Sequence, residues 1–282
     1  MKSRSDVIEG TESIAAKRRR STEFNLVGSL KSIVHKYIAI IIFLIAWEFA
    51  SLTGIVNQIF IPAPTTILVA MWQLTVSGIL PYFTIVSLYR VLAGFGLALL
   101  VALPLGFLLG GFFKNFEKAT DPLLQVLGQA NPFTLFPVFI VLLGIGELSK
   151  IAIIFWVTQW PVLFNTVTGI KNVDPVLIKV ARATGLGKFD LFKKVLLPGS
   201  LPTVFTGIRM GAVFAFFMLI GAEMIGATSG LGFMIMQAQM VMNIPKMWAG
   251  IVTVALLGLA INYAILAIEK HFTGWKEESA VN

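Results

Sequence analysis

Several apolar runs are long enough to cross a lipid bilayer, and this feature limits what the chain can fold into. A transmembrane helix needs about 20 consecutive apolar residues, and only 13% of the 282 residues are charged. The runs are Tyr37–Thr53, Val91–Phe113, Leu123–Ile145, Ile151–Ile170, Leu201–Ile225 and Met247–Ile268. Only the first and fifth contain charges, which are Glu48, Arg209 and Glu223. We therefore expect an all-α, polytopic membrane protein with about six transmembrane helices.

The distribution of basic residues predicts the orientation of these spans. If the N-terminus is inside, 18 of the 22 Lys and Arg residues fall in the tails and loops of that side. Such a bias is the positive-inside rule. It predicts that both termini lie in the cytosol. We expect a flexible basic tail (1–35), a transmembrane domain (36–272) and a short C-terminal tail (273–282), and no cleavable signal is evident.

The composition argues against several other classes of protein. There is no cysteine, and His35 and His271 lie at opposite ends of the chain, so we predict no metal site. No nucleophile–base pair indicates a catalytic residue. The basic run Lys17–Arg20 is typical of a tail close to anionic membrane lipid. A nucleic-acid partner is not expected, because no folded platform accompanies this run.

A polar, basic stretch at Lys171–Gly211 is the best candidate for contact with a soluble partner. Asp174 and Pro175 are favourable residues for the start of a helix, which we predict over Val176–Thr184. Gly185 permits a tight turn, and a second helix is predicted over Asp190–Leu197, ended by Pro198. The result is a cytosolic hairpin (171–200) that either inserts into a groove on a partner or rests on lipid headgroups.

This stretch resembles the cytoplasmic coupling loop of binding-protein-dependent ABC transporter permeases. In that family a Glu-Ala-Ala-x-x-x-Gly pattern precedes a Leu-Pro. Val180, Ala181 and Gly185 match the alanines and the glycine, and Leu197-Pro198 matches the Leu-Pro. Lys179 occupies the glutamate position, which reverses the charge. The resemblance covers roughly residues 40–275.

The order of several short motifs is similar to the nitrate/sulfonate/bicarbonate, or taurine-type, branch of these permeases. The motifs are Ile61-Pro62-Ala63-Pro64, Ser87-Leu88-Tyr89-Arg90, Asp121-Pro122, Gly144-Ile145-Gly146-Glu147, Ala222-Glu223-Met224, Gly230-Leu231-Gly232 and Trp275. One departure is Gln129-Ala130-Asn131-Pro132, where the branch usually has a basic residue and Ile-Pro.

The resemblance implies the permease subunit of an ATP-driven importer for a small anion, located in the bacterial inner membrane and with the type I importer architecture. Its expected partners are cytosolic ATP-binding cassette subunits, a second and identical permease subunit, and an extracytoplasmic substrate-binding protein. The coupling residues would be Lys179, Val180, Ala181, Arg182, Gly185, Leu197 and Pro198. ATP-Mg would bind to the partner ATPase, because the sequence contains no Gly-x-x-x-x-Gly-Lys-Ser/Thr motif.

Four residues within the spans or at their ends are candidates for the translocation path or its gate. Charges inside a membrane usually face the bundle interior or water. Glu223 is interpreted as a gate or helix-pinning residue, with an interfacial position as the alternative. Arg90 is expected to pair with Glu223 rather than bind an anion. Asn131 and Pro132 predict either a break that lines a cavity or a simple packing kink.

An ion-coupled secondary carrier is the alternative function. It predicts inverted repeats and ionisable residues near the bilayer midplane, whereas no internal repeat is visible in the sequence.

Overall fold

The computed structural model describes residues 38–273, so the predicted N-terminal tail and nearly all of the C-terminal tail lie outside the described residues. Residues 38–273 form helices joined by turns and short irregular segments, with no strand among them. The chain divides into two compact units, one ending at Thr66 and the other beginning at Ile67.

The first unit contains helix α1 (Ile38–Leu52) and the segment that leads to Thr66. Glu48 accepts a hydrogen bond from the backbone N–H of Thr65 (3.1 Å) and another from its hydroxyl (2.7 Å). Thr65 lies in the first turn of α2 (Pro64–Val76), where backbone N–H groups lack partners within the helix. Glu48 of α1 therefore bonds to the first turn of a neighbouring helix.

The second unit is a bundle of helices. They are α3 (Ile79–Phe107), α4 (Lys114–Gly128), α5 (Pro132–Leu143), α6 (Glu147–Lys171), α7 (Pro175–Ala183), α8 (Lys188–Leu191), α9 (Leu197–Gly226), α10 (Leu231–Met240) and α11 (Ile244–Thr273). Short π-helical segments follow α3 at Leu108–Phe112 and precede α9 at Phe192–Leu196.

Helix α6 lies at the centre of this bundle, packed between α3 and α9. Small residues let the backbones approach, since a Cβ atom at Gly106 of α3 would lie 2.6 Å from Thr166 Cβ. A Cβ at Gly207 of α9 would likewise lie 2.5 Å from Asn165 Cβ. Gly106 and Gly207 therefore let α3 and α9 approach α6 closely, as small residues do between membrane helices.

The predicted spans match the helices of the structure with one main difference. Four helices within residues 38–273 are long and apolar enough to cross a membrane, namely Ile79–Phe112, Glu147–Lys171, Lys188–Gly226 and Ile244–Thr273. The predicted span Leu123–Ile145 is not one helix, because α4 and α5 meet at an angle of 90°. If this bent pair counts as one span, the number is five. The predicted first span corresponds to α1, which is described from Ile38 only.

The predicted second helix of the hairpin does not end at Pro198. One helical segment of 39 residues runs from Lys188 to Gly226, and Pro198 lies in the first turn of α9. The N–H of Leu197 bonds to the carbonyl of Phe192, five residues earlier. This wider, π-helical turn lies just before Pro198, which has no N–H to donate. The altered hydrogen-bonding pattern accommodates the proline, so the helix continues.

Candidate functional site

The hairpin begins with a well-capped short helix. The Asp174 carboxylate accepts a 2.7 Å hydrogen bond from the N–H of Val176, and Pro175 occupies the first turn. Gly185 then turns the chain with φ = +78°, a conformation that residues with a Cβ seldom adopt. Local chemistry thus fixes α7 and the turn as the sequence predicts.

Helix α7 exposes apolar as well as basic side chains. Of the predicted coupling residues, Ala181 is buried, Leu197 and Pro198 are half-buried, and Lys179, Val180, Arg182 and Gly185 are exposed. Val176, Leu177 and Val180 are all more than half exposed. These three side chains form an exposed apolar surface that extends over more than one helical turn. Such a surface is typical of a contact with another molecule.

An ion pair and a small cavity lie between the hairpin and the bundle. Lys171, Arg182 and Lys188 line a cavity of about 240 Å³. The ammonium group of Lys171 also bonds to Glu117 of α4 at 2.6 Å. Glu117 is almost wholly buried, and its second carboxylate oxygen has no hydrogen-bond partner among the described residues. This pair connects the end of α6 to the broken helix α4–α5.

At the other end of the bundle, Arg90 is the centre of a buried ion cluster. Its Nη1 lies 2.7 Å from Glu223 Oε1, so the predicted pairing is confirmed. Its Nε and Nη2 donate to the two oxygens of Glu147 at 2.6 and 2.7 Å. Arg90 and Glu223 are 1% and 0% exposed, whereas the Glu147 side chain is 50% exposed. Glu223 is therefore enclosed by protein and does not reach water or lipid within the described residues.

The turn between α9 and α10 completes this cluster with backbone groups. Arg90 donates to the carbonyl of Ser229 at 2.6 Å, and Gly232 N–H donates to Glu223 Oε2 at 2.8 Å. Side chains are excluded at the glycines: a Cβ at Gly230 would collide with Glu223 and Arg90, and one at Gly232 with Glu223 and the Ile220 carbonyl. The two glycines of the Gly230-Leu231-Gly232 motif therefore allow the backbone to pack directly against the ion pair.

The break between α4 and α5 lines a cavity, as one interpretation of Asn131 and Pro132 predicts. The Asn131 side chain accepts from Phe133 N at 2.9 Å and caps α5, while Pro132 begins the helix. Both residues line a cavity of about 590 Å³ together with Trp156, Trp160 and Phe217. Aromatic walls and a few polar groups are typical of small-molecule sites.

The predicted site residues therefore form three separate groups: the hairpin, the break at Asn131 and the cluster of Arg90 and Glu223. Ser87 was not among the predicted site residues, although it stands in the Ser87-Leu88-Tyr89-Arg90 motif; its hydroxyl donates to the carboxylate of Glu223, 2.7 and 2.8 Å from the two oxygens. Ser87 and Arg90 are three residues apart, which places them on one helix face, and this spacing could have identified Ser87 from the sequence. Glu147, which was not a predicted site residue either, is the first residue of α6 and pairs with Arg90.

No group of His, Asp or Glu side chains within residues 38–273 is arranged to hold a metal ion.

Comparison with known proteins supports the same interpretation. Residues 102–274 match the family described as binding-protein-dependent transport system inner membrane component. An aliphatic sulfonates transport permease protein of Bacillus subtilis is 34% identical over 82% of this chain and 83% of its own length. The taurine transport system permease protein of Escherichia coli is 28% identical over 84% and 88%, respectively. A nitrate import permease protein of Synechocystis is 28% identical over 89% and 93%.

A solved structure shares the fold. A chain of an inward-facing methionine ABC transporter superposes with a TM-score of 0.58 at 19% identity, covering 66% of this chain and 93% of that one. The family match spans more than half of the chain, and the helical bundle agrees with it. The chain therefore belongs to the family of binding-protein-dependent transport system inner membrane components, and it is a permease subunit of the ABC importer type.

Proposed function

We propose that this permease forms the membrane path for a small anion, with sulfonates including taurine as the first candidates and nitrate or bicarbonate next. It would receive the anion from an extracytoplasmic binding protein and pair with a second copy of itself. Two cytosolic ATPase subunits, which bind ATP-Mg, would drive the cycle. The names of the sulfonate, taurine and nitrate relatives support this range of substrates.

The observation that carries the proposal is the continuous helical segment Lys188–Gly226. At 1.5 Å per residue its 39 residues extend about 58 Å, which exceeds the thickness of the hydrocarbon core. It begins in the hairpin and carries Glu223 near its other end. Displacement of the hairpin would therefore be transmitted along one continuous helical segment to the ion cluster.

In this proposal the hairpin is the ATPase contact. Val176, Leu177 and Val180 supply an exposed apolar surface, and Lys179 and Arg182 supply exposed charge. Such a surface suits a groove with an apolar floor and acidic rim. Basic residues predominate on this side, which supports a cytosolic location for the contact and for both termini.

The cluster of Arg90 and Glu223 would act at the opposite side as a helix-pinning lock. It joins α3, α6 and α9 through side chains and the Gly230–Gly232 turn through backbone groups. The cavity at Asn131 and Pro132 would contribute to the path between these two ends. Because Glu147 is half exposed, it is the member of the cluster that a docked binding protein can reach.

Co-purification with an ATPase tests the proposal. The tagged chain, expressed with the neighbouring genes, is expected to elute with an ATPase whose activity rises with loaded binding protein. Gly185→Val is expected to abolish both, since valine opposes φ = +78°, whereas Gly185→Asn tolerates this conformation. Gly187→Asn is the matched control, because Gly187 has φ = −65° and open space around it. A chain that elutes alone and still transports would contradict the proposal and favour an ion-coupled carrier.

A further inference from the structure

Arg209 is a membrane-embedded cation that lies outside the ion cluster of Arg90. It is near the middle of α9, between Gly207 and Gly211. Both glycines pack against α6. A residue two positions along a helix is rotated by about 200°, so Arg209 lies on the face of α9 that points away from α6.

Arg209 has hydrogen-bonding capacity that the described residues do not use. Its Nε is 3.5 Å from Glu269 Oε2 of α11, and the Arg209 side chain is 32% exposed. No hydrogen bond from either Nη atom is formed within residues 38–273. Arg90, by contrast, is 1% exposed and donates from all three of its nitrogens. Since guanidinium groups inside a membrane require partners, the free Nη groups of Arg209 indicate a ligand.

Arg209 lines a cavity of about 590 Å³ whose other walls are mainly apolar. Phe133, Phe216, Phe217 and Val254 line it, with Asn262 as a second polar group. Its size is within the range of small-molecule sites. Phe133 and Phe217 also line the cavity at the α4–α5 break, so the two cavities adjoin along the same aromatic side chains.

We propose that Arg209 contacts the oxyanion group of the transported substrate, a sulfonate or a similar small oxyanion, in this cavity. The proposal rests on the proposed function and assigns its anion selectivity to one residue. A planar guanidinium offers two parallel N–H groups to two oxygens of such an anion. Glu269 neutralises part of the charge, which keeps the contact weak enough for the anion to be released.

Uptake by proteoliposomes tests this role. The permease is reconstituted with its ATPase and binding protein, and uptake of taurine, methanesulfonate and nitrate is measured. Arg209→Gln is expected to lower uptake of the transported probe by about 10- to 100-fold, the effect of losing charge-assisted hydrogen bonds. Arg209→Lys is expected to retain part of the uptake. Thermal stability of each variant is measured alongside uptake.

Glu269→Gln is the matched variant, because it removes the other half of the same ion pair. If Arg209 binds the anion, Glu269→Gln retains uptake and lowers the KM for the probe, so the two variants behave differently. Equal losses in both variants, with lowered thermal stability, would show a structural ion pair and overturn the proposal.

The lipid composition separates the substrate from a phospholipid headgroup as the anion. The effect of Arg209→Gln is expected to be the same in vesicles with and without phosphatidylglycerol. An effect that appears only with the anionic lipid would overturn the proposal in favour of a lipid contact. If the wild type imports none of the three probes, the proposed substrate class fails and this inference fails with it. If the wild type imports a probe and Arg209→Gln imports it equally well, only the inference about Arg209 is wrong.

Discussion

Replacing Glu223 by glutamine tests whether the buried ion cluster stabilises the helix bundle. Three donors converge on this carboxylate: the hydroxyl of Ser87, Nη1 of Arg90 and the N–H of Gly232. A glutamine amide has one acceptor oxygen, so its NH₂ group must face one of these donors. An unsatisfied buried N–H costs about 1–3 kcal/mol, and breaking a buried ion pair costs about 3–5 kcal/mol. Since Glu147 still pairs with Arg90, we expect a total loss of about 2–4 kcal/mol, below the sum of these costs.

The matched control is Glu147→Gln, which changes the charge of the same cluster by the same amount. The Glu147 side chain is 50% exposed, so water can replace its interactions and we expect a loss of about 1 kcal/mol or less. Unfolding in mixed micelles of increasing SDS content, followed by tryptophan fluorescence, measures both variants. If Glu147→Gln destabilises the protein as much as Glu223→Gln, burial does not determine the strength of the cluster and the reasoning is refuted.

Three further predictions concern the turn, the helix break and the hairpin. Gly232→Ala is expected to destabilise the protein and abolish transport, because the new methyl group collides with Glu223; normal transport would contradict this. Asn131→Ala is expected to cost about 0.5–2 kcal/mol through loss of the α5 cap, measured by the same unfolding assay, with recovery in Asn131→Asp. Lys171→Met is expected to lower stability and coupled ATPase activity because it leaves Glu117 buried without its cation; Lys118→Met, at an exposed position of α4, is the control and should have no effect.

The sequence predicted the helix hairpin closely where local chemistry decides the structure. Asp174 and Pro175 start α7 and Gly185 ends it, because a cap, a fixed φ and a positive φ act over a few residues. Proline was misleading at Pro198. Its effect on a helix depends on the hydrogen bonds of the preceding turn, and the π-helical segment there removes the conflict.

The helix break shows a second limit of the sequence. Asn131 and Pro132 indicated that the third span would bend, but the uncharged run Leu123–Ile145 did not reveal an angle of 90°. Hydropathy reports which residues avoid water, and it does not distinguish a straight helix from two shorter ones. The cavity beside the break depends on Trp156, Trp160 and Phe217, which come from α6 and α9 and meet it only in the folded bundle.

The sequence by itself determined that this chain is an α-helical membrane protein with a basic hairpin at one side, because lipid imposes long apolar helices and charge asymmetry orients them. Its motifs also determined the family. Only the tertiary structure decided how the charges within the spans are used. Arg90 and Glu223 are 133 positions apart, and their partners Glu147 and Gly232 come from other elements. Packing of α3 and α9 on α6 buries Arg90 in a cluster where all three of its nitrogens donate hydrogen bonds, whereas Arg209 lines a cavity. Residue type and hydropathy do not predict this difference between the two arginines.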